Sequence, residues 1–172
     1  GGDPTFKDGV IDIDLLSKIE WRRFEELIAA YYREIGFEAE TGSFGGDGGI
    51  DVKVKHPIKG TSFGIQCKSW AGLVGVKVVR ELYGSIKLAN LDSGYLFARG
   101  EFSSDATREA ESLGIILVKG AQIVDMINSL PLDGRLRLFS VATEGDFMTP
   151  SCASCGLKMV FQNKKPAYWT CL

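Results

Sequence analysis

The sequence predicts an α/β domain in which helices flank a mixed β-sheet, followed by a small cysteine-rich appendage. Three observations predict this architecture: two adjacent strands of alternating polarity, two short apolar strands separated by helical segments, and three of the four cysteines within the last 21 residues. We expect the domain over residues 5–130 and the appendage over 151–172. Residues 131–150 lack clear periodicity and are expected to form a linker.

The domain is expected to begin with one long helix. Apolar residues recur at helical spacing between Leu15 and Ile35, and Gly36 provides a stop signal. Residues 37–44 predict a strand. The glycine-rich residues 45–49 predict a turn, because glycine tolerates positive φ.

Two strands of alternating polarity follow this turn. In residues 50–55 three aliphatic side chains alternate with charged ones, and residues 63–68 alternate in the same way. The intervening residues 56–61 include proline and glycine, which favour a turn. The two strands are therefore expected to form an antiparallel hairpin.

The later elements are predicted from apolar periodicity and capping residues. Ser103 or Ser104 is expected to cap a helix that ends near Gly114. The other segments are a helix over 76–89, buried strands over 94–98 and 115–118, and a last helix over 121–130.

The hairpin register brings three polar side chains together. If the turn comprises residues 57–60, Asp51 lies opposite Gln66, and Lys68 follows on the same face. A carboxylate, an amide and an ammonium group side by side are typical of a cation site with a charged neighbour. The aliphatic residues of both strands face the other way, into a core.

A second carboxylate is expected from the first helix. Glu25 lies at the border of the apolar stripe, roughly 100° from its centre, whereas Glu26 lies nearly opposite that stripe. Glu25 can therefore reach a neighbouring element, and Glu26 is expected to face water.

Composition limits the classes of function and the location. The formal net charge is −2, so nucleic-acid binding has to depend on a local basic patch or a bound cation. No stretch approaches the roughly 18 apolar residues of a membrane span, and we expect a soluble, cytoplasmic protein. The opening residues 1–4 lack an initiator methionine, so a longer, tethered parent protein stays open.

Single residues argue against other enzyme classes. His56 is the only histidine, which removes support for a Ser-His-Asp hydrolase or a histidine-rich zinc enzyme. Cys67 is expected to face the core as a small apolar residue. Trp70 is expected to pack, with stacking on a base as the alternative.

The segments Phe24–Glu25, Gly46–Asp51 and Gln66–Lys68 resemble the Mrr-type branch of the PD-(D/E)XK restriction-endonuclease-like superfamily. The resemblance covers residues 16–127. It implies the fold of that superfamily and Mg²⁺- or Mn²⁺-dependent endonuclease cleavage of DNA, often of modified or foreign DNA as in type IV restriction.

The resemblance also implies residue roles. By position, Asp51 matches the metal-binding aspartate, Gln66 the acidic-or-glutamine position, Lys68 the catalytic lysine and Glu25 the helix glutamate. We expect Glu25 and Asp51 to hold Mg²⁺ with Gln66 positioning the site, and the backbone carbonyl of Cys67 could add a ligand. Glutamine in place of an acidic residue weakens the metal site.

The cysteine-rich end predicts a structural Zn²⁺ site. Cys152 and Cys155 form a C-x₂-C pair, and Cys171 follows at a spacing seen in four-cysteine zinc sites. The segment resembles the zinc ribbon of bacterial type I topoisomerases, and the fourth ligand is expected near position 174. Water as fourth ligand and a disordered ribbon are the alternatives.

Basic and aromatic residues are candidates for contact with DNA. The ribbon combines lysines for phosphates with an aromatic ring for base stacking, and two lysines share the face of Asp51. For those two, contact with the DNA backbone and simple solvation stay equally open. The candidates are Lys53, Lys55, Lys158, Lys164, Lys165 and Trp169.

Three functions compete at this stage. The first is a metal-dependent endonuclease that acts on DNA, as a homodimer if it cuts both strands. The second is a catalytically silent DNA-binding module of the same fold, which Gln66 favours. The third is an interaction domain that binds a partner, which the low net charge favours.

Overall fold

A computed structural model describes residues 9–44, 49–69 and 72–171. Residues 45–48 of the turn expected over 45–49, and Trp70, lie outside these residues. The helices are α1 (Ile13–Lys18), α2 (Trp21–Glu34), α3 (Val76–Leu88), α4 (Ser104–Leu113), α5 (Gly120–Asn128) and α6 (Leu132–Thr143). The strands are β1 (Glu38–Phe44), β2 (Ile50–Lys55), β3 (Ser62–Lys68), β4 (Ser93–Ala98), β5 (Ile115–Lys119), β6 (Val160–Gln162) and β7 (Tyr168–Thr170).

The central sheet is mixed, as the sequence predicts. Its strands lie in the order β1-β2-β3-β4-β5, in which β1, β2 and β3 pair antiparallel and β3, β4 and β5 pair parallel. Two clusters of buried apolar side chains, called core groups below, join the sheet to the helices. In the first, β2 and β3 pack against α1, α2, α5 and α6, and in the second the sheet packs against α3 and α4. The sheet is therefore covered by helices on both faces.

The first predicted helix is two helices. Ile19 is extended after α1, and the carboxylate of Glu20 caps α2 by accepting the backbone N–H groups of Arg22 and Arg23, each at 3.1 Å. This cap satisfies two amides that have no partner within the helix. The continuous apolar spacing concealed the break because Leu16 before it and Phe24 after it are both buried.

The segment 131–150, expected to be a linker, contains α6 instead. Leu138 and Ala142 are buried in the first core group, and the Arg23 guanidinium donates to the carbonyls of Val141 and Glu144 at 2.8 and 2.7 Å. The helix was missed because apolar side chains lie on more than one of its faces. Two of these are exposed, Leu132 and Leu136.

The fifth strand is only half buried, in contrast to the expectation for 115–118. β5 lies at the edge of the sheet, where Ile115 and Val118 face the interior and Ile116 is 45% exposed. Within the described residues, no helix is long and apolar enough to cross a membrane.

The hairpin has the register that the sequence predicts. The His56 N–H donates to Thr61 O at 2.8 Å, and Val52 pairs with Ile65. Continuing this register by one residue places Asp51 opposite Gln66. His56 is a structural residue of the turn, because its Nδ1 accepts the N–H groups of residues 58 and 59.

Candidate nuclease site

Two carboxyl groups from different elements meet beside the end of the hairpin. Glu25, one turn into α2, is half-buried and hydrogen-bonds to Asp51 at the start of β2. Glu26 is exposed, with its carboxylate 3.6 Å from Arg23 Nε. The choice of Glu25 over Glu26 thus agrees with the packing of α2.

Asp51 lies at a change in the alternation of β2. Val52 packs in the core group that contains α2, whereas Ile50 packs in the group that contains α3. A register shift in the β1–β2 pairing accompanies this change. The strict alternation expected for residues 50–55 therefore fails here, and the shift lets Asp51 reach the α2 side, where Glu25 lies.

The backbone of β3 orients the aspartate. The Cys67 N–H donates to Asp51 Oδ2 at 2.7 Å, and the Lys68 ammonium is close enough to act on the pKa of Asp51. The Cys67 contact uses the amide N–H, so a role for its carbonyl remains a prediction. Burial raises the pKa of the Cys67 thiol, which keeps it protonated and a poor nucleophile.

The two neighbouring carboxyl groups repel each other when both are ionised, so a proton or a bound cation has to offset one of the negative charges. Burial, and next the negative charge of Asp51, raise the pKa of Glu25 to about 8. Burial also raises the pKa of Asp51, against the opposing effects of the Cys67 N–H and Lys68. Without a bound cation, Glu25 therefore keeps its proton at neutral pH and donates a hydrogen bond to Asp51, and a cation could take the place of that proton.

Gln66 stands apart from this group. Its neighbours Ile65 and Cys67 pack on the α2 side, so alternation directs its side chain to the other side, where its cross-strand partner Leu96 packs. The Gln66 Oε1 atom is buried and has no hydrogen-bond partner among the described residues. The structure thus brings Glu25, Asp51 and Lys68 together and leaves Gln66 with an unused buried oxygen.

Arg99 was missed by the sequence analysis. Its backbone N–H donates to Lys68 O at 3.2 Å, and its guanidinium lies 4.9 Å from the Phe24 ring centre. Burial lowers its pKa to about 10, and the Arg99 Nε and Nη2 atoms have no partner in the described part of the chain. The sequence signal for Arg99 was its position as a charged residue directly after the apolar strand 94–98.

The lysines of β2 lie opposite acidic residues. Lys53 pairs across the strands with Glu40, and Lys55 pairs with Glu38. Opposite charges at directly facing positions attract one another, which lowers the positive field that these lysines offer to a phosphate.

The three C-terminal cysteines form one cluster. The sulfur atoms of Cys152, Cys155 and Cys171 all lie within 4.8 Å of one another. Hydrogen bonds from the backbone N–H groups of Cys155 and Ser154 lower the pKa of Cys152 to about 7, whereas hydrogen bonding to Cys155 raises the pKa of Cys171 to about 11. Tetrahedral zinc with bonds of about 2.3 Å places its sulfurs roughly 3.8 Å apart, so the cluster fits that ion.

The small β6–β7 hairpin presents aromatic and basic side chains to solvent. Trp169 and Phe161 pair across the strands with ring centres 5.1 Å apart, and both remain exposed. Lys164 and Lys165 are exposed in the connecting turn. Lys158 is used internally, because its Nζ donates to Thr149 O at 2.8 Å.

Comparison with known proteins identifies one matching family. The sequence profile of a family described as restriction endonuclease, of the Mrr catalytic type, matches residues 16–127. An uncharacterized mitochondrial protein of Schizosaccharomyces pombe is 33% identical over an alignment of 91 residues that covers 49% of this chain and 37% of that protein. The chain thus spans little more than a third of that relative.

Two solved structures share the fold. The DNA modification-dependent restriction endonuclease AspBHI superposes with a TM-score of 0.58 at 18% identity, over 80% of this chain and 42% of that one. AF1548, a protein of unknown function, superposes with a TM-score of 0.54 at 21% identity, over 63% of this chain and 65% of that one. At these identities the likeness shows the restriction-endonuclease-like fold.

Proposed function

Since the chain belongs to the Mrr-type restriction endonuclease family, we propose that it is a divalent-metal-dependent endonuclease that hydrolyses DNA phosphodiester bonds in restriction, of the type IV kind, or in DNA processing. One observation carries the proposal: the carboxyl groups of Glu25 and Asp51 line one cavity, where the Cys67 N–H holds Asp51 and Lys68 lies beside it. Acidic groups forced together in this way are typical of a site that a cation occupies during function.

The donor set fits Mg²⁺ or Mn²⁺. Glu25 and Asp51 supply carboxylate oxygens, which Mg²⁺ prefers as ligands. Gln66 Oε1, a buried oxygen without a partner among the described residues, becomes a third ligand if its side chain turns towards Asp51. When bound, the ion would activate water and offset charge on the phosphate. The Cys67 carbonyl remains a further candidate ligand.

The protein residues contribute orientation and charge. The Cys67 N–H fixes the rotamer of Asp51, and Lys68 faces the same carboxylate with a cation that can stabilise negative charge on a phosphate. Burial of Glu25 makes release of its proton part of forming the active site.

Contact with DNA is assigned to the ribbon first. Exposed Lys164 and Lys165 suit phosphates, and exposed Trp169 suits base stacking. Lys53, Lys55 and Lys158 are weaker candidates, because each already faces an acidic residue. Structural Zn²⁺ on Cys152, Cys155 and Cys171 would hold the ribbon in shape.

Plasmid cleavage tests the proposal. Supercoiled plasmid with Mg²⁺ or Mn²⁺ should be cut by the wild type, and Asp51→Ala and Lys68→Ala should lower the rate at least about a hundredfold. Glu111→Ala is the control, because that carboxylate is exposed on α4 and does not line the cavity of Glu25 and Asp51. Equal cleavage by Asp51→Ala and the wild type would refute the assignment. Linear product would favour the expected homodimer, because it requires cuts in both strands. Size-exclusion chromatography of the protein–DNA complex would then measure the number of chains bound.

A silent DNA-binding module is the second candidate. It is favoured by Gln66, which carries no negative charge to offer a divalent cation. Salt-dependent DNA binding without cleavage under any divalent cation would decide for it.

A further inference from the structure

The cysteine cluster is built against the first turn of α2. Trp21 Nε1 donates to Ser151 O at 2.9 Å, and the backbone N–H and hydroxyl of Ser151 lie 3.3 and 3.4 Å from the Glu20 carboxylate. Glu20 and Ser151 are 7% and 4% exposed, so these contacts are shielded from water. Helix α2, which carries Glu25, and the cysteine turn, residues 152–157, therefore meet at a buried seam formed by Glu20, Trp21 and Ser151.

Two cavities lie beside this seam, and Trp21 lines both. One, of about 220 Å³, is lined by Glu25 and Asp51 together with Ala153 of the cysteine turn. The other, of about 360 Å³, is lined by residues 152–157. Arg22 lines both, so its side chain joins the nuclease site to the cysteine turn.

The Arg22 guanidinium lies against the cysteine turn. Its Nη1 atom lies 2.7 Å from the place where a side chain on Gly156 would begin, and Gly156 has a φ of +75°. Arg22 is exposed, and no carboxylate lies within 4 Å of its guanidinium among residues 9–44, 49–69 and 72–171. The guanidinium is therefore an available cation beside two acidic groups.

We propose that Arg22 binds a phosphate of DNA in the cleft formed by these two cavities, where Glu25 and Asp51 line one side and the cysteine turn lines the other. A guanidinium binds phosphate oxygens in a two-point geometry, and a cation here offsets the repulsion between the backbone and Glu25. The inference rests on the proposed function, because it takes DNA as the substrate. It makes the ribbon a wall of the nuclease site and not only a separate DNA-binding surface.

DNA binding without cleavage tests the inference. A short fluorescein-labelled duplex is titrated in magnesium-free buffer at several salt concentrations, and anisotropy gives the dissociation constant. Arg22→Ala should weaken binding about tenfold and lower the salt slope by about one, and Arg22→Lys should retain part of the affinity. The control Arg108→Ala removes an exposed arginine of α4 that pairs with Asp105 and should match the wild type.

A double-mutant cycle with Gly156 tests the position of Arg22. Gly156→Ala should displace the guanidinium and weaken binding in the wild type, with no further loss in the Arg22→Ala background. Gly60→Ala is the matched control, since Gly60 has a φ of +71° and nothing within 4 Å of its added carbon.

The outcomes separate the two proposals. Absence of DNA binding by the wild type would overturn the proposed function. Binding by the wild type with equal affinity for Arg22→Ala and Arg108→Ala would overturn this inference alone. Equal losses from Gly156→Ala in both backgrounds would overturn the role of the cysteine turn in placing Arg22.

Discussion

Replacing Glu25 by glutamine should change how the stability of the metal-free protein depends on pH. The pKa of Glu25 is about 8 in the folded chain, above its ordinary value of 4.5. A carboxyl group with a raised folded pKa favours folding fully below pH 4.5, and this contribution is lost as pH rises through about 8. The wild type should therefore lose stability between pH 5 and pH 9, and Glu25→Gln should lose less.

The size of the effect follows from the pKa change and the exposure of the site. A rise from 4.5 to about 8 corresponds to a ceiling of about 5 kcal/mol, at about 1.4 kcal/mol for each pH unit. Glu25 is only half-buried, so solvent screening reduces this value. We expect Glu25→Gln to exceed the wild type by about 2 kcal/mol at pH 9 and to differ little at pH 5.

Urea unfolding followed by tryptophan fluorescence at pH 5, 7 and 9 in magnesium-free buffer measures this difference. Glu26→Gln is the control, because the exposed neighbour should follow the wild-type curve. Added Mg²⁺ should stabilise the wild type more at pH 9 than at pH 5, since metal ligands must be deprotonated. Parallel pH curves for the wild type and Glu25→Gln would refute the shared-proton reasoning.

Two further predictions concern the ribbon. Cys155→Ser should lower the zinc content from about one ion per chain, measured by elemental analysis, because it removes one of three clustered sulfurs; equal zinc in the variant would contradict the site. Trp169→Ala should weaken binding of single-stranded DNA about tenfold by loss of base stacking, whereas Leu88→Ala, which alters a side chain that is 79% exposed on α3, should not; anisotropy that does not distinguish them would argue against stacking.

The sequence predicted the hairpin register because local chemistry determines it. Proline and glycine in the turn fixed the loop length, and the loop length fixed which residues face each other. The His56–Thr61 pair and the Val52–Ile65 pair agree with that derivation. The predicted exposure of Glu25 and Glu26 agrees with the structure for a similar reason, because a step of about 100° along the helix separates a border position from an exposed one. The role of Glu25 in the site stays a prediction.

Features that depend on tertiary contacts were not predictable in the same way. The break between α1 and α2 depends on the cap that Glu20 provides to α2. Glutamate is seldom favoured as a cap, and here its carboxylate also contacts Ser151, 131 residues further along the chain. The change of face at Asp51 depends on a register shift with β1. Strict alternation in the sequence gives no sign of such a shift.

The sequence predicted neither helix α6 nor the contact between the ribbon and α2, because both depend on how residues 131–150 pack in the folded chain. We expected 131–150 to separate the ribbon from the domain, but α6 packs along α2, and Arg137 pairs with Glu34 at 2.6 Å near the end of α2. The chain then returns to the start of α2, where the Glu20 N–H donates to Phe147 O at 2.8 Å. One helix thus holds the seam through Glu20, faces the cleft through Arg22 and supplies a metal-ligand candidate through Glu25. A substitution in the cysteine turn should therefore shift the position of Glu25, because that turn and Glu25 are both held by the first two turns of α2.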